Sequence, residues 1–366
     1  MSDVAAIAVA RQTRIPYALR KTLWEKWDGA EPLLAAAREQ QGSTPDEQNA
    51  FEILRTSVDL PGAEEEIRKL RRLGGWVLSY GSAGYPAALA EISDPPLVLF
   101  GCGALPQDSK KFLGFVGPRR PSTYGARVAK WLATDLAREG VVLVSGLARG
   151  IDAIAHESAV RAGVPTVAVV ACGLDRTYPP EHALLRSKIE KNGAVVTEFG
   201  IGDPPRSEHF PQRNRIISGL SRGVLIIEAG ERSGARITAR HATEQSREVF
   251  AVPGPIDSPL SIIPNRLIAE GAKLTATSSD ILEELFPGYK AEERAASTTA
   301  DAPELSDGER RLLTGWERDR PVTADDLVKN VGVSAAEVLR ALAELELKGL
   351  IVKQADARYV RIVGEM

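Results

Sequence analysis

The chain has 366 residues with a formal net charge of -3 at pH 7, a length that exceeds one ordinary core and calls for two or three domains. So balanced a charge excludes a protein that binds polyanions over its whole surface, and any basic footprint must be local. No apolar run approaches the roughly 20 residues that cross a bilayer, Met1–Ala10 lacks a signal peptide's basic n-region, and the only cysteines, Cys102 and Cys172, lack ligand spacing and read as buried thiols of a reducing, cytoplasmic protein.

Residues 1–75 alternate helical patterns with polar breaks around apolar anchors such as Leu23-Trp24 and Phe51-Glu52-Ile53-Leu54, which predicts a small all-helical domain. Residues 76–109 read as a connector, because Tyr80–Pro86 and Asp94-Pro95-Pro96 are punctuated by glycine and proline. From 110 to 287 apolar runs at 112–117, 141–145, 164–171, 194–198, 223–228 and 248–252 alternate with helical patterns. Near-continuous apolar strands between helices predict an α/β class: a Rossmann-like, doubly wound, mostly parallel sheet covered on both faces. Its ligands should lie beyond the carboxyl ends of the strands.

Residues 288–304 carry almost no large apolar side chains and read as a flexible linker. Three short helical patterns and an apolar tail over 305–366 predict a C-terminal winged helix. That segment holds ten Lys or Arg against eleven Asp or Glu, and its candidate recognition helix, Ser334–Lys348, sets Arg340 and Lys348 against Glu337, Glu344 and Glu346. A polyanion finds little there, so a docking or structural role is expected.

The chemistry concentrates where the central strands end. Phe112–Val116 runs into Gly117-Pro118-Arg119-Arg120 and then a helical pattern, so backbone N–H groups, a helix dipole and guanidinium groups converge on one spot suited to phosphate. No acidic residue lies between Gly117 and Arg127, and Tyr124 offers a stacking face. Ser145-Gly146-Leu147-Ala148-Arg149-Gly150 sets glycines on both sides of an arginine at a second turn, with Asp152 able to cap the helix that follows. A tight turn explains the glycines but not Arg149. Arg206–Arg215 carries three arginines against one glutamate and includes Phe210, Arg213, Asn214 and Arg215. Its arginines can track a backbone while Phe210 stacks a base, a mode typical of single strands; the plainer alternative is a solvated basic loop with Phe210 in the core. Ser233 and Gly234 open a further helix, where Ser233 is a candidate N-cap and the amides, with Thr238, can bind phosphate.

Other chemistries are disfavoured. No G-x-G-x-x-G fingerprint follows the first strand and no Walker A sequence occurs, so neither a nicotinamide cofactor nor P-loop ATP hydrolysis is expected. His156, His182, His209 and His241 show no metal spacing, and His156 reads as a packed or hydrogen-bonded histidine. No nucleophile-base constellation can be picked out, so no cofactor, metal or catalytic residue is expected.

These residues resemble the DNA-processing protein A (DprA, or Smf) family. The likeness rests on Gly117-x-Arg119, Ser145–His156, Tyr178-Pro179, Phe210-Pro211-x-Arg213-Asn214-Arg215-Ile216-Ile217, Glu228-Ala229, Ser233-Gly234, Ile237-Thr238-Ala239 and Val249–Gly254, in family order. The resemblance implies a non-enzymatic homodimeric mediator that binds single-stranded DNA, protects incoming strands and loads the RecA recombinase in natural transformation. It further implies a sterile-alpha-motif-like domain before the Rossmann-like domain and a winged helix after it, with Arg119, Arg149, Phe210, Arg213, Asn214 and Arg215 touching DNA. Pro118 departs from the family's small hydroxyl residue and removes an N–H donor, and Ala235-Arg236 replaces a small aliphatic pair. The competing expectations are a nucleotide phosphoribohydrolase-like enzyme, with Glu228 and the Ser233-Gly234 turn as its site, or a nucleotide-sensing adaptor. The Pro-Gly-Gly-x-Gly-Thr motif of that enzyme group is missing.

Overall fold

Helix-favouring starts set the first elements: α1 (Asp3–Ala10), α2 (Tyr17–Lys26), α3 (Ala30–Arg38), α4 (Pro45–Ser57) and α5 (Leu60–Arg72). Thr44 and Asp59 cap α4 and α5 by accepting the backbone N–H of Glu47 and Gly62, each with a proline in the first turn where a missing donor costs nothing. The computed structural model describes residues 3–106, 111–231, 233–286, 305–316, 321–348, 350–353 and 357–361. It divides into two units, Met1–Tyr289 and Lys290–Met366.

The first unit is built on β1 (Gly75–Ser79), β2 (Val98–Gly103), β3 (Phe112–Val116), β4 (Val142–Ser145), β5 (Thr166–Val169), β6 (Ala194–Thr197), β7 (Gly223–Ile226), β8 (Glu248–Ala251) and β9 (Lys273–Leu274). They form one nine-stranded sheet in the order β1-β2-β6-β5-β4-β3-β7-β8-β9. From β6 to β9 every pairing is parallel, whereas β1 and β2 add antiparallel at the β6 side. The order reverses between β3 and β7, which puts the topological switch point, and the expected crevice, beside the loops that follow those two strands.

The helices α6 (Ala87–Ala90), α7 (Thr123–Arg138), α8 (Ile151–Arg161), α9 (Ala183–Asn192), α10 (His209–Leu220), α11 (Gly234–Glu244), α12 (Ile262–Ala269) and α13 (Ser278–Leu285) cover the sheet. Strand alternation sorts the core: Leu143 packs with Leu113, Phe115 and the apolar stripe of α7, while its neighbours Val142 and Val144 pack on the other face with Ile216 and Ile217 of α10. Each central strand is therefore buried on both sides, as its near-continuous apolar run requires.

Two expectations need correction. The segment 76–109 is no connector, because it supplies nearly all of β1 together with β2; β1 is an edge strand with mostly half-buried residues, and flanking glycine and proline masked its extended run. The helices of 1–75 are not a separate domain. Ala5, Ile7, Leu33 and Leu70 share one core with Ala168, Val170 and Val195 of the sheet, a pairing that periodicity within the helices cannot reveal.

The second unit holds α14 (Asp307–Thr314), α15 (Ala324–Val331), α16 (Ala335–Leu347) and the antiparallel pair β10 (Ile351–Lys353) and β11 (Tyr359–Arg361). Ser306, Thr323 and Ser334 begin the three helices with capping boxes completed by Glu309, Asp326 and Glu337. Leu312, Trp316, Leu327, Leu342, Ile351 and Tyr359 form its core. Burial opposes ionisation of Glu309, but hydrogen bonds from Lys348, with Nζ at 2.7 Å, and Ser306 hold its carboxyl below the ordinary value. The linker expected at 288–304 lies outside the described residues. Among those residues no helix is long and apolar enough to cross a membrane.

His156 on α8 shows what this packing imposes. It is fully buried, with Nδ1 2.8 Å from the hydroxyl of Thr166, whose proton goes to the Leu143 carbonyl. Burial, reinforced by the Arg213 guanidinium, lowers its pKa from 6.5 to about 3. The unfolded chain therefore binds a proton that the folded chain refuses, so the contribution to stability is complete above about pH 6.5 and is lost as pH falls toward 3. Over that window the slope is about 1.4 kcal/mol per pH unit. Chemical denaturation at several pH values should show a slope smaller by one proton in His156→Gln than in the parent chain.

Candidate nucleic-acid interface

Parallel strands followed by helices aim helix N-termini at the carboxyl edge of the sheet, and each leaves backbone N–H groups in need of an acceptor. At the switch point this need is met internally. Glu228, just beyond β7 and buried, accepts the Ser122 backbone N–H at 2.9 Å and the Ser122 hydroxyl, while Ser122 Oγ accepts the Gly125 N–H at 3.0 Å. A Cβ at Gly125 would meet Glu228 Oε2 at 2.2 Å, so glycine is what lets the carboxylate reach the start of α7.

The turn after β4 is arranged likewise. Asp152, buried in the first turn of α8, accepts the N–H of Gly146 at 3.1 Å and of Ala148 at 3.2 Å. Burial pushes its carboxyl up, against the pull of the Arg213 guanidinium and these amides. Arg213 is itself buried, donates to the Val169 carbonyl, and lies so close to Gly146 that a Cβ there would meet Nη1 at 1.8 Å. Ser145 Oγ donates to the Phe115 carbonyl at 2.6 Å. Two turns that pattern alone offers to phosphate thus have amides already occupied by the chain's own carboxylates.

Outside this filled layer lies an exposed rim. Arg119, Arg120 and Arg149 are exposed, and the Arg119 guanidinium sits 5.1 Å from the centroid of the half-buried Phe210 ring. Tyr178 adds a second ring, 37% exposed, 5.7 Å from Phe210 and tilted by 60°. The loops that carry the arginines are locked together: Ile151 donates its N–H to the Pro118 carbonyl at 3.3 Å, and Gly150, at φ +77°, passes where a Cβ would meet that oxygen at 2.4 Å. Gly117 packs equally tightly on Ile151. Arg149 forms an ion pair with Glu181 across the exposed surface. Ser233 caps α11 by accepting the Ala235 N–H at 3.2 Å, Gly234 and Arg236 are exposed, and Asn214 Nδ2 reaches the Gly234 carbonyl at 3.5 Å. Tyr124 is committed elsewhere, donating to the Pro253 carbonyl at 2.8 Å with Arg127 against its ring.

Several predicted site residues are therefore corrected to supporting roles. Ser145, Gly146 and Arg213 are buried beneath the rim. Thr238 is fully buried, its hydroxyl directed at the Gly234 carbonyl. Arg215 is buried between Glu198, with Nη2–Oε2 at 2.8 Å, and Asp94, whose carboxylate lies 2.9 Å from Nε; burial opposes its charge, and these carboxylates outweigh that and raise its pKa. Arg213, Asn214 and Arg215 follow one another on α10, where successive side chains point about 100° apart and cannot share one groove. Pattern reading expected Asp152 to cap the helix that follows, whereas it accepts amides of the preceding turn, and it missed the plugging role of Glu228 and the approach of Tyr178 to Phe210, two rings 32 positions apart in sequence. Among the described residues no group of three or more His, Cys, Asp or Glu is placed to hold a metal ion.

Residues 76–286 match the family model of DNA recombination-mediator protein A, starting inside β1, and residues 296–357 match the DprA winged helix domain. Protein Smf of Escherichia coli K12 is 41% identical over 281 residues, covering 76% of this chain and 75% of that protein. The X-ray structure of DprA from Streptococcus pneumoniae superposes with a TM-score of 0.65 at 35% identity, over 78% of this chain and 98% of that one. DNA processing protein A from Helicobacter pylori, whose structure was reported for its single-stranded DNA binding mode, gives a TM-score of 0.52 at 28% identity, over 59% of this chain and 97% of that one.

The division between rim and support can be measured. Arg215→Ala leaves the mostly buried Glu198 carboxylate without its partner and should cost about 3–5 kcal/mol in urea denaturation. Arg119→Ala, at an exposed position, should stay within about 0.5 kcal/mol. Equal costs would refute the assignment.

Proposed function

The chain belongs to the DNA recombination-mediator protein A family, and from that premise we propose that it binds single-stranded DNA along the carboxyl edge of its sheet. Arg119, Arg120 and Arg149 take backbone phosphates, the exposed Gly234 at the start of α11 adds a backbone donor, and Phe210 stacks a base. The observation that carries this reading is the pairing of an exposed arginine rim with the half-buried Phe210 ring, above a helix start filled by Glu228 and a turn filled by Asp152. A single nucleotide's phosphate would seek those inner amides; an extended strand needs only the rim. A ring at the rim favours unpaired bases, whose faces are free to stack, over a duplex whose bases are stacked on one another.

In this reading the protein is a cytoplasmic homodimer without catalytic turnover. It shields incoming strands and loads RecA onto them in natural transformation. Family membership supports that biology, and the commitment of Glu228 to Ser122 speaks against its use as the base of a phosphoribohydrolase. The winged helix, with its balanced charge, serves docking rather than strand binding.

Fluorescence anisotropy of a labelled oligothymidine tests the binding mode. The Arg119→Ala, Arg149→Ala double variant should bind at least about tenfold more weakly at low salt, and the slope of log affinity against log salt should flatten by roughly 1.4, about 0.7 for each lost phosphate contact. A variant that binds like the parent, or a parent that hydrolyses nucleoside monophosphates, would sink the proposal. RecA loading is read separately: the parent chain should shorten the lag of RecA filament growth on strands coated with single-strand-binding protein.

A further inference from the structure

The segment from Tyr178 to Glu181 has a position that the strand-binding reading leaves unused. It lies between β5 and α9, yet it faces residues from two other loops. Tyr178 is a large aromatic side chain left 37% exposed, and its ring stands 5.7 Å from Phe210 at 60°, so the two rings make a corner rather than a closed stack. Its hydroxyl makes no hydrogen bond among the described residues, so the ring is not held there by a polar tether. Three residues on, Glu181 holds Arg149 in an ion pair whose side chains are 59% and 48% exposed.

The turn is also firmly based. His182 Nδ1 lies 2.9 Å from the Leu147 carbonyl, in the loop that carries Arg149. Buried Arg186 donates to the Leu174 carbonyl at 2.6 Å and to the Arg176 carbonyl just upstream. Tyr178 and Glu181 are thus presented on an anchored segment beside the arginine rim. An exposed ion pair is weakly held, because its attraction is screened by water and salt. A phosphate offers the Arg149 guanidinium a stronger, bidentate partner.

We propose that the Tyr178–Glu181 turn is a second wall of the strand's binding site, with Tyr178 stacking a base next to Phe210 and a backbone phosphate displacing Glu181 from Arg149. This deepens the single-strand reading and rests on it. Glu181 acts as a placeholder: it keeps Arg149 positioned in the free protein and lowers affinity by competing for it. Tyr178 supplies affinity that depends on a base being present, whereas Glu181 acts on the backbone alone.

That difference separates the two roles. The full-length chain would be titrated with an oligothymidine and with an abasic oligonucleotide of equal length. Tyr178→Leu should weaken oligothymidine binding roughly 5- to 100-fold while barely changing the abasic strand, and Tyr178→Phe should recover most of the loss. Glu181→Gln should tighten both probes about two- to fivefold at low salt, with the gain shrinking as salt rises. Glu244→Gln, at the C-terminal end of α11 and so at the opposite edge of the sheet, serves as the charge control and should not tighten binding. Tyr178→Leu weakening both probes alike or neither, or Glu181→Gln doing no more than Glu244→Gln, would overturn the proposal. Glu181→Gln is an exposed near-isostere and keeps it open to failure even if Tyr178→Leu folds poorly. A parent chain that binds neither probe would instead remove the single-strand reading itself; Arg119→Ala weakening a strand to which the turn variants are indifferent would remove only this inference.

Discussion

Unpaired backbone N–H groups at helix starts dominate the chemistry of this molecule, because a parallel sheet collects them at one edge. Two of the turns there are satisfied by carboxylates of the same chain, Glu228 at α7 and Asp152 before α8. Once those are in place much else is required. Gly125 must lack a side chain so that Glu228 can approach, Gly146 must lack one so that Arg213 can lie against it, and Gly150 must adopt a positive φ so that two loops meet. Buried negative charge at Asp152 calls for buried positive charge nearby, which Arg213 provides.

Positive charge is thereby divided into two populations. Arg213 and Arg215 are spent inside, one beneath the Gly146 turn and one tying α10 to Glu198 and to Asp94. Arg119, Arg120 and Arg149 stay at the surface. Carboxylates lie in the depth of the crevice, with Arg213 beside Asp152, and the guanidinium groups of Arg119, Arg120 and Arg149 lie at its rim. That layering suits the proposed binding of a long, thin polyanion better than a compact one, and a net charge of -3 leaves room for such a local basic edge.

Much of the architecture was legible because burial on both faces writes near-continuous apolar runs, and the six runs from 112 to 252 all became strands. β1 and β2 escaped because an edge strand is only half-buried and because the prolines before β2 imitate a loop. The helices of 1–75 were legible as helices but not as part of the sheet's core, since an apolar stripe does not state what it packs against. At the candidate site, arginine and glycine content pointed to the carboxyl edge of the sheet. Composition did not separate the buried arginines from the exposed ones; that needed the 100° step of α10 and the positions of Glu198 and Asp94. Tyr178 was visible only as part of a family motif, because its nearness to Phe210 is created by the fold.

The shared core of the N-terminal helices and the sheet has a consequence for how the chain is made. The apolar cluster that holds Ala5 and Ile7 runs on through Leu33, Leu70 and Phe100 to Ala168, Val170 and Val195, so its last members lie on β5, β6 and the segment after β5. At a synthesis rate of about 5–20 residues per second, the first five helices leave the ribosome on the order of ten seconds before that surface exists. During that interval the stripe that will be interior is a sticky exterior, so each newly made copy passes through a stage in which its own neighbours on a polysome are competitors for the same face. That exposure shrinks when β5 and β6 join the sheet and complete the cluster.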